Sequence, residues 1–281
     1  MKIVATLLVR NESELVADCF EHHLSQGVDA FIVTDHCSVD GLAEVLHAYR
    51  DIIVDQWYEP DLGYKQDQWV TRMARRAAEF SPDWIVHLDA DERWHGLSLL
   101  KEVPDSFAWI RTGPWRNHLP LSSLSVPAFR RETMPYFEVP GRTGKHVPRF
   151  VEFGTGQGGK IIHRPMADVE VGIGNHWMNF PHLPFYYCDG ITVHHYPVRS
   201  LEQLRRKVIN GAAALDSQGW SPGIAGHWRV WRDIDREGRL DSVFQSFILQ
   251  DSEVRERLAD GTLNLAAPLP QRRIAAATSY R

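Results

Sequence analysis

Between residues 2 and 92 the apolar residues switch repeatedly between two periods, and that alternation constrains the fold more than any other feature of the chain. Residues 2–8 form a short apolar run of the kind found in buried strands. Leu15, Val16, Cys19, Phe20 and Leu24 then recur at helical spacing, with Asn11 or Ser13 available as a cap. The pattern repeats. Residues 30–34 read as a strand, Leu42, Val45, Leu46 and Tyr49 as a helix, and residues 52–57 as a third strand. Residues 66–80 read as a helix, and residues 84–88 as a fourth strand after the break at Ser81-Pro82. Such succession predicts right-handed crossovers and a parallel sheet covered on both faces. Ligands of such sheets gather at the carboxyl ends of the strands. The segments lying there are polar: Arg10-Asn11-Glu12, residues 35–41 and Asp89-Ala90-Asp91-Glu92. They imply a cleft.

After Glu92 the periodicity weakens, and short strands with long loops are expected over residues 96–159. A strand is expected over 190–196, a helix over 200–215 and a second helical stretch within 241–258. The tail after residue 269, rich in Ala, Pro and Arg, reads as mobile.

Composition narrows the function classes. A chain of 281 residues with 43% hydrophobic content can bury a full core. A net charge of -5 offers no overall basic surface for nucleic acid, so none is expected as a partner. The three cysteines lack CxxC spacing and suit a reducing compartment. Residues 1–9 reach Arg10 too soon for a signal peptide, and no run approaches the roughly 20 apolar residues of a spanning helix. A cytoplasmic protein is expected, with peripheral membrane contact left open.

The sharpest chemical signal is His87-Leu88-Asp89-Ala90-Asp91-Glu92 at a strand end. Two carboxylates one residue apart can address one divalent ion and leave positions open for diphosphate oxygens. A solvated acidic turn accounts for most such triplets; the position after a fourth strand is what raises this one.

Residues 9–12, 35–41 and 87–92 together resemble the N-terminal half of family 2 glycosyltransferases, especially a branch related to family 92 with a DADE-like motif. The resemblance covers roughly the first hundred residues and a stretch near His195. It implies an α/β fold of the GT-A type, a Rossmann-like, mostly parallel central sheet with helices on both faces, plus a C-terminal helical extension. It also implies a glycosyltransferase domain over 1–199, with a nucleotide-binding half at 1–95 and an acceptor half at 96–199, and the extension over 200–281. By the same likeness Arg10, Asn11 and Glu12 support the nucleotide, Asp35 contacts base or ribose, and Asp40 lies in the turn that follows. Asp89 matches the ribose-side or metal-side aspartate, and Asp91 the principal metal ligand.

A second segment, residues 193–200, carries His194 and His195 and is followed by Glu202, Gln203 and Lys207. Adjacent strand residues face opposite ways, so one imidazole at most faces the cleft. The resemblance points to His195 as a further ligand of Mn2+ or Mg2+; a hydrogen-bonded structural histidine is an equal alternative. Residues 154–160 satisfy GxxxxGK spacing, but Ile161 replaces the magnesium-binding hydroxyl and Pro165 opposes the required helix. A loop leading into a short strand fits better, with Lys160 a candidate for donor phosphates because the resembling family often has a basic residue there. Gly172 to Trp177 combines turn glycines with groups suited to a sugar, and the acceptor is expected near His176 and Trp177. Candidates for the base that deprotonates the acceptor are His176 and Glu92, with Asp168 and Glu170 behind them.

The expected function is metal-dependent transfer of a sugar from a nucleotide-sugar, a uridine diphosphate sugar first, to a hydroxyl of a glycan, lipid-linked or small-molecule acceptor, with inversion. Two alternatives stand beside it: sugar-phosphate nucleotidyl transfer and non-catalytic carbohydrate binding on the same fold.

Overall fold

Strand β1 (Ile3–Val9) sorts the core into two faces by its period of two. Ile3, Ala5, Leu7 and Val9 pack with Leu15, Val16, Cys19 and Phe20 of helix α1 (Ser13–Ser25) and with Leu42 and Leu46 of α2 (Leu42–Ala48). Val4 turns the other way, towards Val70, Met73, Ala74 and Ala77 of α3 (Gln66–Ala78). In the computed structural model, residues 1–63, 65–113, 115–124, 129–142, 149, 159–217, 219 and 226–266 are described. The tail and residues 154–158 of the GxxxxGK segment lie outside them.

Strands β2 (Ala30–Asp35), β3 (Ile53–Tyr58) and β4 (Trp84–Asp89) join β1 in parallel, in the order β4, β1, β2, β3. Beyond β4 the sheet becomes mixed. Strand β9 (Ile161–His163) runs antiparallel to β4 and to β6 (Trp109–Thr112), and β10 (Phe185–Cys188) closes this seven-stranded sheet.

A second sheet of five strands stands apart from the first. It contains β5 (Glu92–His95), β7 (Trp115–Leu119), β8 (Tyr136–Glu138), β11 (Thr192–His195) and β12 (Leu263–Leu265), in the order β12, β8, β7, β11, β5. Helices α4 (Leu201–Ser217), α5 (His227–Arg236) and α6 (Leu240–Phe247) pack on it through a third core that joins Val208, Trp231 and Phe247 to Leu119 and Leu263. Helix α7 (Asp251–Ala259) precedes β12. No helix among the described residues is long and apolar enough to cross a membrane.

The two sheets correct the expected architecture. A single GT-A sheet with a helical extension does not describe a molecule whose second half builds its own five-stranded sheet, and the resemblance to family 2 and its family 92-related branch falls with it. The physical reason is the turn at Ala90-Asp91. Glu92 leaves the first sheet and pairs antiparallel with His195 of β11. The strands concerned run to three, four or five residues, too short for a period of two to register in sequence.

Buried histidines stitch the strands together as neutral rings. His163 Nδ1 donates to the Arg164 carbonyl at 2.7 Å, so its Nε2 accepts from His87 Nε2 at 3.0 Å, and His87 Nδ1 accepts from the Thr6 hydroxyl at 2.8 Å. This ladder fixes β9 against β4 and β1. In the second sheet His118 Nδ1 donates to the Met134 carbonyl at 2.6 Å and accepts at Nε2 from His194 Nδ1 at 2.8 Å. Burial pushes His23 and His118 down to about 3, His163 and His95 to about 4 and His194 to about 2, and holds His22 and His87 well below the ordinary imidazole value.

Acid stability follows with a definite sign. A histidine depressed in the fold binds its proton more readily in the unfolded chain, so its stabilisation is complete above about pH 6.5 and drains away as pH falls towards the folded value. One pH unit below that point costs about 1.4 kcal/mol per such histidine, and several together approach the whole stability of a domain. Urea midpoints should therefore fall steeply between about pH 7 and pH 5. A midpoint that stays level across that window would contradict neutral burial of these rings.

Candidate active site

A cleft of about 890 Å3 opens at the carboxyl ends of β1 and β4 and runs to the helices α4 and α5. Leu8 to Glu12 form its wall at one end, with His36 beside them; Asp89, Ala90 and Asp91 lie along its floor. From the far side Gln203, Arg206, Lys207 and Asn210 project along one face of α4, at the three- and four-residue spacing of a helix.

The floor is a lattice of paired charges. Lys160, immediately before β9, is fully buried, with its ammonium 2.6 Å from Asp89 Oδ2 and 3.0 Å from Glu92 Oε1. Burial opposes its charge, but Asp89 and Glu92 outweigh that and raise its pKa. Glu92 also accepts from the Trp94 indole at 3.1 Å. Burial pushes its carboxyl upward against the pull of Lys160. Across the Ala90 turn, Asp91 Oδ2 meets the Lys207 ammonium at 2.6 Å and His195 Nε2 at 3.5 Å. Burial alone would raise Asp91, yet Lys207 and His195 hold it well below the ordinary carboxylate range. Glu12 pairs with Arg199, which also reaches Glu14 at 3.0 Å.

His195 is oriented by its neighbour. Its Nδ1 donates to Asn117 Oδ1 at 2.8 Å, which turns Nε2 towards Asp91. Burial lowers its pKa, against the pull of Asp91. Trp115 packs beside it with ring centroids 5.3 Å apart, and beside His176 at 4.8 Å.

Of the residues singled out in the sequence, Arg10, Asn11, Glu12, Asp89, Asp91, Lys160 and His195 line this cleft. Asp35 and Asp40 do not. Asp35 accepts from the Ser38 amide at 2.9 Å, and Asp40 accepts from the Ser13 amide at 2.8 Å, each ordering the loop behind the wall. Glu92 is buried behind Asp89, and His176 donates to the Gly159 carbonyl at 2.8 Å, outside the lining. Trp177 is packed against Gly172, where a Cβ would fall 1.9 Å from its ring. Among the described residues no group of three His, Cys, Asp or Glu is arranged to hold a metal ion. Asp89 is separated from that role by its pairing with Lys160.

Sequence reasoning gave no role to Asn117, Trp115, Gln66 or Lys207. Lys207 alone had a signal, a basic residue four positions after Gln203 on a helix that follows His195. Gln66, at the start of α3, accepts from the Gly174 amide at 3.0 Å and so ties the 172–177 turn to the cleft.

No family model matches the chain, and no curated protein matches it in sequence. Among solved structures it is similar to residues 1–349 of S. aureus TarS in complex with UDP-GlcNAc, at 11% identity and a TM-score of 0.43, covering 75% of this chain and 66% of that one, just under two thirds. It is also similar to the mannosyltransferase PcManGT from Pyrobaculum calidifontis, in complex with GDP-Man and Mn2+, at 12% identity and 0.39, covering 92% and 75%. A third is glucosyl-3-phosphoglycerate synthase from Mycobacterium tuberculosis, with Mn2+ and UDP, at 16% and 0.40, covering 79% and 81%. Likeness at this level carries no weight for the activity, and the functional reading rests on the cleft.

The lattice makes Lys160 a structural cation. Lys160→Met would leave Glu92 buried, and Asp89 half-buried, without their partner and should cost about 3–5 kcal/mol. Adding Glu92→Gln to that variant removes one stranded charge and should recover part of the loss. Urea denaturation of the single and double variants measures both; an unaffected Lys160→Met protein would show that the pairing is not needed.

Proposed function

We propose that the cleft binds a nucleoside diphosphate sugar and transfers the sugar to an acceptor hydroxyl. The observation that carries this reading is the pairing of Asp91 with both Lys207 and His195 on the floor of a cleft at strand carboxyl ends. Arg10, Asn11 and Glu12 form the wall for the nucleoside. Arg10 and the α4 residues Arg206 and Lys207 supply positive charge for a diphosphate. Transfer forms a bond from the acceptor oxygen to the anomeric carbon as the bond from that carbon to the diphosphate oxygen breaks and the acceptor hydroxyl gives up its proton to solvent, so stabilisation is needed where negative charge grows, on the diphosphate.

Of the three ligands expected for a divalent ion only Asp91 and His195 face each other, a smaller donor set than a built metal site, and no group of three such residues occurs among the described residues. Asp91 Oδ2 and His195 Nε2 lie 3.5 Å apart, with the imidazole oriented by Asn117. Asp89 is held by Lys160 and positions the floor instead. A divalent cation at Asp91 and His195 would supply charge to offset the departing diphosphate. Burial of both residues keeps water from weakening that charge.

Calorimetric titration of nucleoside diphosphates and nucleotide-sugars, with Mn2+ or with EDTA, tests the reading. One nucleotide should bind, and Asp91→Ala should weaken it by about tenfold or more, about 1.4 kcal/mol. Product analysis should find a nucleoside diphosphate; pyrophosphate would mean nucleotidyl transfer. A folded protein that binds none of the panel would overturn the proposal in favour of a binding protein without catalysis.

A further inference from the structure

Strand β11 carries two adjacent imidazoles, and the second sheet uses its two faces differently. His195, opposite Asn117 and Glu92, faces the cleft. His194, opposite Arg116 of β7 and Arg93 of β5, faces the other way, and His95 follows two residues after Arg93 on that same side. Helix α1 lays His22 against this face, so that three rings form a row. His194 and His95 lie 4.5 Å apart between centroids, and His95 and His22 4.8 Å. A guanidinium closes each end. Arg116 Nη1 donates to His194 Nε2 at 3.3 Å, and Arg131 Nη1, from the 3-10 turn Arg131–Thr133, donates to His22 Nδ1 at 3.4 Å.

The charges along this row do not balance. Arg93 and Arg131 share one carboxylate, Asp18, at 2.7 and 2.8 Å. The half-buried Arg116 has no carboxylate partner among the described residues: it is held by His194 and by the ring of Phe137, whose centroid lies 5.2 Å from the guanidinium carbon. Burial lowers its pKa with no anion to offset the effect. Arg199 and Arg257, more deeply buried, meet Glu12 with Glu14, and Glu138. A guanidinium drawn partly out of water without an anion is costly, and one already fixed between two rings loses little freedom on meeting one. Beside it His95, also half-buried, touches the His22 and His194 rings and makes no hydrogen bond through either ring nitrogen among the described residues. We propose that this row is a second ligand site, which binds a phosphate or phosphomonoester dianion at His95, with Arg116 as its direct partner and Arg131 adding positive field. Two cations at the ends of the row suit a doubly charged ligand, and the free side of the Arg116 fork suits its oxygens. Neither guanidinium lines the cleft, nor does His95, so the site does not rest on the nucleotide-sugar reading.

Inorganic phosphate, added at low ionic strength and neutral pH, should bind the natural protein and raise its melting temperature. Arg116→Met keeps an apolar contact with Phe137 and removes the charge. Calorimetry should then find phosphate bound about tenfold or more weakly, and Arg116→Lys should restore part of the affinity. The imidazole NMR signals that disappear in His95→Gln should be among those that phosphate moves in the natural protein, which places the anion at this ring. Glycerol phosphate should bind as well as phosphate if the ligand is the free anion, and more tightly if the group is carried on a larger molecule; both results support the site. Phosphate that does not bind the natural protein overturns the proposal. Phosphate that binds Arg116→Met equally well, or leaves the His95 signals unmoved, overturns it by placing the anion elsewhere. Acetate bound as tightly as phosphate overturns the choice of ligand. Nucleotide affinity should be unchanged in Arg116→Met, and a protein that binds no nucleotide at all would leave each of these phosphate results to be read in the same way.

Discussion

The ammonium of Lys160 holds the molecule together at the point where it could most easily come apart. Asp89 is the last residue of β4 in the first sheet, and Glu92 is the first residue of β5 in the second. Only Ala90 and Asp91 separate them, so the two sheets are hinged on an acidic turn. Two carboxylates so close would repel each other in a buried setting, and the turn would open towards water. Lys160 lies 2.6 Å from one and 3.0 Å from the other and converts repulsion into a joint. Because Lys160 precedes β9, which is inserted between β4 and β6, the same contact fixes the register of the mixed half of the first sheet. The Tyr196 amide bonds the Asp91 carbonyl at 2.8 Å and ties the end of β11 to the same turn.

Such a joint is expensive to bury unless everything around it is satisfied, and the surrounding polar groups are chosen accordingly. The imidazoles of His87, His163, His118 and His194 act as neutral relays, each with one nitrogen donating and the other accepting. They connect strands without bringing further charge into the core. Arg93, fully buried, carries charge but spends it on Asp18 at 2.7 Å and on the carbonyls of Ala90 and Glu92 at 2.8 and 2.6 Å. The acidic turn is thereby supported from its backbone as well as from its carboxylates.

This division explains what could be read from sequence. The units from β1 to β4 were legible because α1 and α3 are each thirteen residues long and because β1 and β2 are largely continuous apolar runs. The second sheet was not, because its strands are brief and pair across long intervals, Glu92 with His195 among them. The acidic motif and His195 were visible as chemistry at the end of an expected strand. Their partners were not. Lys160 lies 71 residues beyond Asp89, and Lys207 lies 116 beyond Asp91, and no local pattern marks a lysine that will meet a carboxylate after folding. Asp35 and Asp40 stood out for the same reason as Asp89, an acidic residue after a strand, yet they cap backbone amides of neighbouring loops. Helix α5 also went unread: its ten residues include three arginines and two tryptophans, and its apolar face becomes clear only with Trp231 and Ile234 seated in the third core.

Backbone conformation separates the rim of the cleft from the rest of the core. Of the four non-glycine residues with left-handed φ among those described, Ser81 lies in the turn before β4, and the other three, Asn11, Cys37 and Asn175, adopt values of 54°, 45° and 61°. Each lies in a segment that borders the cleft or braces its wall. Asn11 accepts from the Val39 amide at 2.8 Å, and Asn175 donates to Asp89 at 3.4 Å. Asparagine tolerates this region better than most residues, but the conformation still costs about 1 kcal/mol or more and persists only where neighbours enforce it. A chain selected for stability alone would relax such positions to glycine or to ordinary turns. Their gathering around Asp89 and Asp91, the same place where charges are buried in pairs, indicates that stability has been exchanged for a shaped and polarised surface. Strain and charge pairing therefore mark one cleft independently of each other, the first from the backbone and the second from the side chains.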